Sequence, residues 1–441
     1  MRTNRILPLV LAVLAAAAAA GVATGRGAGT AARASWARIS GPSQPGVQLG
    51  LARTSDGVLH VIWNRGASPT SIFETRLSAG GNAAGTSTVA SGFDGNGGLA
   101  LLALPDRTLR LFAAGATKPG STAYGINTFT APAAGGAWTL QPGAYWGGAV
   151  AGSAAAIGAT LTGDGQPVTA WRGFAAAGVP PGSVPPNAYQ GGMTESQLAT
   201  DAAGGAVVLS GVTNSGQGGV YVQQVLPTMG SRAILPLPFG LNDWNSSLSG
   251  RTGAPGVYIA YADTKAVRLM RYGGGTKTLA HGPFTSAAVC AGPDGRLWVA
   301  WGDRASGLSV TRSNKAVSAF EPTQKLALPP GGSEGLTFAQ CEGSTGPADI
   351  FADVSSGATQ GFWHTHVLPR FTLQARGTKS KTTISARDAG DPVAGVTVTV
   401  GGKRVTTDAH GLATVTLRPG KYPARGTAPG YAPASILVSA R

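Results

Sequence analysis

Three tryptophans stand at the same position of a recurring sequence pattern, and their side chains are suited to binding a flat ligand. Trp63, Trp171 and Trp301 each follow the aspartate of an Asp-Gly pair by seven residues. Exposed indole rings at the rim of a concave site stack on sugars and other flat surfaces. At the end of a second strand, the same side chains would alternatively pack one repeat against the next. Both interpretations remain open at this point.

A proline-rich insertion carries a fourth aromatic candidate. Residues 178–190 contain four prolines, and Tyr189 lies near their end. Such a segment would form a loop over one face of the molecule and shape a ligand site there. The alternative is an irregular surface loop without a binding role.

Charged side chains do not form a recognisable catalytic set. The chain has 19 acidic residues, and several of them fall in predicted turns, whereas cleavage of a glycosidic bond requires two carboxylates that face it. His364 and His366 alternate on a predicted strand and could face one side, but the sequence offers no evident third metal ligand. We therefore predict no catalytic residues, no metal site and no cofactor.

The elements that must position the aromatic candidates form a repeat over residues 35–369. A strand of small residues, an Asp-Gly turn and a second strand recur, with turns at Asp56, Asp164 and Asp294. Asp-Gly pairs between apolar runs favour β-hairpins because both residues tolerate positive φ. Weaker copies have turns near Asp106, Gly204, Pro255 and Gly346. Intervals of about 40 to 58 residues are typical of four-stranded blades, so we predict an all-β propeller of seven blades, with six or eight as alternatives.

The two cysteines occupy equivalent places in neighbouring repeats. Cys290 lies four residues before Asp294, and Cys341 lies five before Gly346. Both fall on the strand before the turn, which we expect to be the innermost of its blade. Inner strands converge on the axis, so the pair is predicted to form a disulfide. Two buried free thiols are the alternative.

The repeated hairpins resemble the propellers of the sialidase and BNR-repeat class. Ser55-Asp56-Gly57 contains the residues of that family's Asp-box, S-x-D-x-G-x-x-W, without its spacing. The resemblance implies an arginine cluster that binds a carboxylate, and Arg53 lies where the first arginine of the family would fall. Arg53 is therefore a candidate ligand-binding residue, and a sialidase-type glycoside hydrolase is an alternative function.

The last part of the chain, residues 370–441, has a different pattern. Val396, Val398 and Val400 alternate with threonines, which is typical of half-buried antiparallel strands. The segments P-V-x-G-V-x-V, T-D-x-x-G and P-G-Y resemble carboxypeptidase regulatory-like domains, which implies a small transthyretin-like or Ig-like β-sandwich. Such modules are not catalytic, so the resemblance implies display or adhesion.

The net charge of +15 is unevenly distributed along the chain. Residues 370–441 hold eleven Lys or Arg against three Asp, and the long repeat region is nearly neutral. No nucleic-acid motif accompanies the basic segment, so we expect no nucleic-acid partner. An anionic wall polymer or a membrane surface is the expected partner of this domain.

The first 34 residues have the layout of a secretory signal peptide. Arg2 and Arg5 precede an uncharged apolar run, and Ala32-Arg33-Ala34 offers a cleavage site. An uncleaved anchor is the alternative. The sequence has no lipid-modified N-terminal cysteine, no twin-arginine pair in this segment and no later apolar stretch long enough to span a bilayer. We expect a secreted or cell-surface protein.

These observations favour a bacterial envelope protein that binds a glycan or a protein through one propeller face and is not an enzyme. The sialidase-type hydrolase is the first alternative. A purely structural envelope component, which would lack a concave site, is the second.

Overall fold

The structure is a computed structural model, and nearly all of the chain it describes is antiparallel β-structure. The described residues are 35–43, 48–65, 70–93, 98–116, 125–142, 146–147, 157–171, 174–177, 197–203, 205–213, 219–236, 246–263, 265–284, 286–303, 307–332, 336–355, 357–377 and 381–440. A 3₁₀ turn occurs at Pro293–Gly295. No helix within these ranges has the length and apolar character of a membrane span.

The strands up to residue 367 form seven sheets. The N-terminal strand is β1 (Ala37–Arg38). Sheet 1 contains β2 (Gly50–Arg53), β3 (Leu59–Asn64), β4 (Thr70–Leu77) and β5 (Ala83–Phe93). Sheet 2 contains β6 (Leu99–Ala103), β7 (Thr108–Gly115), β8 (Gly125–Pro132), β9 (Thr139–Leu140) and β10 (Trp146–Gly147). Sheet 3 contains β11 (Ile157–Leu161), β12 (Pro167–Trp171) and β13 (Phe174–Ala177). Sheet 4 contains β14 (Gln197–Thr200), β15 (Val207–Thr213), β16 (Gly219–Leu226) and β17 (Arg232–Pro236).

The remaining three of these sheets follow in chain order. Sheet 5 contains β18 (Ser246–Arg251), β19 (Ala254–Ala262), β20 (Ala266–Arg271) and β21 (Thr276–His281). Sheet 6 contains β22 (Ser286–Ala291), β23 (Leu297–Asp303), β24 (Gly307–Arg312) and β25 (Gln324–Leu326). Sheet 7 contains β26 (Leu336–Glu342), β27 (Ala348–Val354), β28 (Gly361–Val367) and, at its edge, β1.

The predicted Asp-Gly turns join the first two strands of sheets 1, 3 and 6. In sheet 1 the amide of Gly57 donates to the carbonyl of Thr54 over 2.9 Å. Gly57 has a φ of +85°, a conformation that side-chain-bearing residues rarely adopt. The Asp56 carboxylate accepts the Val58 amide and fixes the turn. The hairpin interpretation of the sequence is thus confirmed.

The sheets are arranged as a closed propeller. Apolar clusters fill the space between neighbouring sheets, and one cluster joins sheet 7 back to sheet 1. The first strand of each sheet lies at the axis, and these strands approach one another closely. A Cβ added to Gly158 would lie 2.7 Å from the amide nitrogen of Leu198 in the next first strand. Glycine is therefore required at this crowded position.

Two features reinforce the ring at and next to its closure. The N-terminal strand β1 pairs with β28, so that Ala37 lies opposite His364 and Arg38 opposite Trp363. Cys290 of β22 and Cys341 of β26 form a disulfide between the first strands of sheets 6 and 7, with their Cα atoms 5.7 Å apart. The disulfide that the repeat phase predicted is present, on the strands expected from the sequence.

A two-sheet sandwich follows the propeller. Sheet 8 contains β29 (Thr372–Gly377), β30 (Thr382–Asp388), β31 (Asp391–Pro392) and β34 (Leu412–Val415). Sheet 9 contains β32 (Thr397–Val400), β33 (Lys403–Thr406), β35 (Gly420–Thr427) and β36 (Ala434–Ala440). Val396, Val398 and Val400 point into the core between the sheets and are buried. The small antiparallel sandwich predicted for this segment is confirmed.

Candidate functional site

A cavity of about 190 Å³ lies on the propeller axis. The first strands of all seven sheets contribute to its wall, so that it is the concave feature common to every repeat in the described chain. The wall is apolar where leucine and alanine face the axis, and it is interrupted by side-chain amides and hydroxyls. The polar residues among them are Gln48, Gln197, Ser246, Ser247 and Gln340.

The polar groups of the axial cavity link first strands of neighbouring sheets. The Gln197 side chain accepts the Leu248 amide over 2.8 Å, and that of Gln340 accepts the Leu49 amide over 3.0 Å. Ser247 Oγ similarly accepts the Val289 amide over 2.5 Å. Because first strands of different sheets are not paired in a ladder, these side chains satisfy backbone groups that would otherwise be buried alone.

Gln48 differs from the other amides of the axial cavity. Its Oε1 atom is buried, yet no group of the described chain donates a hydrogen bond to it. A buried amide oxygen left without a donor costs about 1–3 kcal/mol. Gln48 therefore places at the wall of the axial cavity a neutral, unsatisfied hydrogen-bond acceptor, whose natural partner is a hydroxyl or N–H group.

The predicted tryptophans lie away from the axial cavity. Trp63 is 4% exposed, stacks on Phe73 at a centroid distance of 4.7 Å and donates its indole N–H to Thr75 over 3.0 Å. Trp301 is 2% exposed and packs in the apolar cluster between sheets 5 and 6. In this conformation both rings pack one sheet against the next, and the structure does not bring them together at a rim.

Two other aromatic candidates lie partly or wholly beyond the described structure. The backbone of Trp171 ends β12, whereas its side chain is outside the described part of the chain. Tyr189 and the whole insertion at 178–190 are outside the described residues, as is the predicted signal peptide at 1–34.

Arg53 belongs to a buried charge cluster between sheets 1 and 7. Its Nε donates to Glu342 Oε2 over 2.6 Å, its Nη1 donates to the Gly57 carbonyl over 2.8 Å, and its Nη2 pairs with Asp349 Oδ2. His364 Nε2 and His366 Nδ1 lie 2.7 and 2.9 Å from Asp349 Oδ1. We call these five residues the closure cluster: Arg53, Glu342, Asp349, His364 and His366. The guanidinium of Arg53 is engaged within the protein rather than presented to a ligand.

Asp349 is the centre of the closure cluster. Burial alone would raise its pKa, but hydrogen bonds from His364 and His366 outweigh burial and hold the pKa well below its ordinary value of 3.8. His364 and His366 do face one side of β28, as their alternation requires. Their shared partner is this carboxylate, and the described residues contain no cluster of three or more groups suited to hold a metal ion.

Many of the described acidic residues serve as turn acceptors. The carboxylate accepts an amide two residues further along the chain at Asp56, Asp106, Asp201, Asp263, Glu342 and Asp408. Another acid, Glu74, is buried against His60, with Trp138 donating to its second oxygen over 3.0 Å. These carboxylates stabilise turns and inter-strand contacts, and no two of those named here face one bond across the axial cavity.

A second buried charge cluster joins the sandwich to sheet 6. Asp388 of β30 is 0% exposed and accepts from Arg312 over 3.1 Å and from the Tyr431 hydroxyl over 2.9 Å. Arg296 lies 3.2 Å from Asp388 and 2.6 Å from Asp391. Glu321 lies close to these charged residues. We call the five residues the interface cluster: Arg296, Arg312, Glu321, Asp388 and Asp391.

Glu321 is the unusual acid of the interface cluster. Burial and, after it, the negative charge of Asp388 raise its pKa from 4.5 to about 9. Its carboxyl group is consequently neutral at physiological pH, and the structure gives it the Arg370 amide as a hydrogen-bond donor. Two arginines already balance Asp388 and Asp391, so a third carboxyl in the same buried volume retains its proton.

Sequence reasoning did not single out Gln48, Asp349 or Asp388. A glutamine before a short strand carries no motif, and its orientation toward the axis depends on the closure of the ring. Asp349 meets Arg53 across 296 positions of sequence, and Asp388 meets Arg312 across the boundary between two domains. The available signal was weak: each of these acids occurs in or at the end of a strand, where isolated carboxylates need a partner.

Comparison with known proteins gives similarity at the level of solved structures only. No protein-family model matches the chain. No curated protein sequence matches it either.

Solved structures similar to this chain include an enzyme and two lectins. A virginiamycin B lyase from Staphylococcus aureus is 9% identical, with a TM-score of 0.46 over 76% of this chain and 99% of the lyase. The BP39L lectin from Burkholderia pseudomallei is 15% identical, with a TM-score of 0.48 over 74% of this chain and 97% of the lectin. An Aleuria aurantia lectin is 12% identical, with a TM-score of 0.40 over 78% and 97% of the two chains. Identities this low assign neither an activity nor a ligand.

Proposed function

We propose that this protein is an exported binding protein, without catalytic activity, whose axial cavity receives a neutral polar group of a glycan or protein ligand. The observation that carries the proposal is Gln48, which lines this cavity and whose buried amide oxygen has no hydrogen-bond donor among the described residues. A hydroxyl of a glycan, or the N–H group of a protein side chain, would supply that donor.

The size and charge of the axial cavity define the ligand further. A volume of 190 Å³ is below the range of about 300–1,000 Å³ for sites that enclose a drug-sized ligand. The cavity would therefore hold one terminal group, and the rest of the ligand would contact the propeller face. Its lining residues are neutral, which favours a hydroxyl-bearing group over an ionised one.

Two structural features support binding over the alternative functions. Arg53, the arginine that the sialidase resemblance singles out, is bound by Glu342 and Asp349 and is not directed at a substrate. The axial cavity itself is a concave site, which a purely structural component would not need.

Export remains a proposal that rests on the signal-peptide pattern of residues 1–34 and on the disulfide. Disulfides form and persist in oxidising compartments, and Cys290–Cys341 is present here. We propose a secreted or cell-surface location.

The sandwich is proposed to hold the protein to an anionic wall polymer or membrane surface. Arg404 and Arg425 flank Thr399 on one exposed row of sheet 9. Asp388 and Asp391, two of the three acids of the domain, pair with Arg296 of the propeller and are therefore not available to neutralise this row.

A glycan array with the chain from residue 35 onward tests the binding proposal, and a fluorogenic sialoside assay accompanies it. We expect glycan binding without hydrolysis. Gln48→Met should weaken that binding about 3- to 10-fold, because one neutral hydrogen bond is lost. The matched control Gln374→Met, at an exposed position of β29, should bind as wild type. Sialoside hydrolysis would contradict the non-enzymatic assignment, and equal binding by both variants would exclude the axial cavity.

A further inference from the structure

A second cavity, of about 370 Å³, lies between the propeller and the sandwich. Loops of sheets 6 and 7, the connecting segment and loops of the sandwich all contribute to it. Five of its lining residues are prolines: Pro293, Pro347, Pro369, Pro392 and Pro429. Proline fixes the backbone φ angle, so the walls of this interdomain cleft are formed before any ligand arrives. The volume falls within the usual range for small-molecule sites.

The interdomain cleft has a cationic lining. Arg296, Arg312 and Lys315 line it, against a single lining acid, Asp294. Arg296 is already matched by Asp388, Asp391 and the Ser313 carbonyl, so it contributes its positive field rather than a free N–H group. The acids behind the cleft are thus engaged, and the lining favours an anion over a cation.

Arg312 provides an unused donor in this cleft. The residue is 3% exposed, and its guanidinium carbon lies 5.6 and 5.9 Å from the ring centroids of Trp298 and Tyr431. A guanidinium forms its hydrogen bonds through the N–H groups at its edges. Nη1 binds Asp388, whereas Nε is buried and has no acceptor among the described residues. A buried cationic N–H without an acceptor is unfavourable, and an oxyanion is the strongest acceptor it can receive.

Lys315 lies at the mouth of the interdomain cleft. Its side chain is 57% exposed, and its ammonium group is 3.0 Å from Asp294 Oδ2. An exposed ion pair of this kind is weak, and the ammonium group can turn to an incoming anion at little cost. The Tyr431 ring and the prolines offer apolar contact to the body of the same molecule.

We propose that the interdomain cleft binds a small molecule that carries a carboxylate or phosphate group on a ring-sized body. The oxyanion is held by the edge of Arg312, with Lys315 closing the mouth. This site is independent of the axial cavity and of the function proposed for it.

Isothermal titration calorimetry with the chain from residue 35 onward tests the proposal. The probes are sodium glucuronate, glucose 6-phosphate and, as the neutral control, glucose. We expect one or both oxyanions to bind and glucose not to bind, and the two charged probes distinguish a carboxylate from a phosphate ligand. Binding of glucose with the same affinity, or of none of the three probes, would overturn the proposal.

Matched variants locate the site. Lys315→Met should weaken oxyanion binding about 3- to 10-fold and reduce its salt dependence. Lys325→Met, at an exposed position of β25 in the same sheet, should bind as wild type. Arg312→Lys retains the charge but removes the Nε edge, and should abolish binding in protein whose thermal unfolding confirms that it is folded. Gln48→Met should leave this binding unchanged, which separates the interdomain cleft from the axial cavity. Equal affinities for Lys315→Met and Lys325→Met would assign the binding elsewhere.

Discussion

The closure cluster and the interface cluster each contain five ionisable residues, yet their acids behave in opposite ways. In the closure cluster, burial raises and histidine donors lower the pKa of Asp349, and the donors prevail. In the interface cluster, burial and a neighbouring carboxylate raise the pKa of Glu321 to about 9. The numbers of donors and acceptors account for this contrast. One arginine and two histidines face two carboxylates at the closure, whereas two arginines face three carboxylates at the interface.

The contrast shows that burial among charged groups does not by itself keep a carboxyl group ionised. A buried carboxyl group is ionised only where enough donors contact it directly. In the closure cluster, the ionised carboxylate of Asp349 joins neighbouring sheets. In the interface cluster, the carboxyl group of Glu321 keeps its proton where the propeller meets the sandwich.

The largest expected effect comes from breaking the closure cluster. Asp349→Asn removes the anion that Arg53 and both histidines contact, and it leaves the buried Arg53 guanidinium with Glu342 as its remaining carboxylate partner. We expect a loss of about 3–5 kcal/mol in the free energy of unfolding. Urea unfolding followed by tryptophan fluorescence measures it, because all nine tryptophans precede residue 370. Asp106→Asn, at an exposed turn, is the matched control and should change the value by less than about 0.5 kcal/mol.

A smaller effect is expected from the equivalent change at the interface cluster. In Asp388→Asn the neighbouring negative charge disappears, so the pKa of Glu321 falls and its carboxyl can ionise in place of the lost anion. We expect a loss of about 1–3 kcal/mol, measured by the same urea titration. If the free energy of unfolding fell as much as in Asp349→Asn, Glu321 would not be replacing the lost charge of Asp388.

The smallest effect depends on pH and has opposite signs in the two clusters. The raised pKa of Glu321 means that its contribution to stability is complete below about 4.5 and is lost as the pH rises toward about 9. The lowered pKa of Asp349 means that its contribution is present above about 3.8 and is lost as the pH falls. Glu321→Gln should therefore be more stable relative to wild type at alkaline than at acidic pH, by at least about 1.4 kcal/mol, the equivalent of one pKa unit.

Thermal unfolding between pH 2 and pH 10 provides this measurement. The acid-side loss should be unchanged in Glu321→Gln, because the closure cluster is intact. An alkaline loss of equal size in wild type and variant would show that Glu321 does not control it.

The fold was largely predictable because it depends on local, repeated patterns. Asp-Gly turns predicted the hairpins, the repeat phase predicted the Cys290–Cys341 bridge, and alternating valines predicted the sandwich. Each of these inferences needs only the period of a strand or the conformational freedom of a turn.

The candidate sites were much less predictable, for physical reasons. Every residue of β3 is buried, so the position of Trp63 in its repeat does not tell a ligand-facing ring from a packing one. The role of Arg53 depends on partners brought next to it only when the ring closes. The place of Gln48 in the cavity wall and the packing of Arg312 against Trp298 and Tyr431 depend on tertiary contacts that no local pattern encodes.

The pairing of β1 with β28 also determines how the molecule would respond to a pulling force. The two strands are antiparallel, with Ala37 opposite His364. The chain before β1 and the chain after β28 therefore leave the sheet in the same direction. Tension between these two points would separate the pair one rung at a time instead of shearing all rungs together. Two register pairs and the hydrogen bond from the Ile39 amide to the Phe362 carbonyl resist it, while the Cys290–Cys341 bridge lies outside the loaded pair. A protein tethered at both points would open at sheet 7 first, with the rest of the ring still folded.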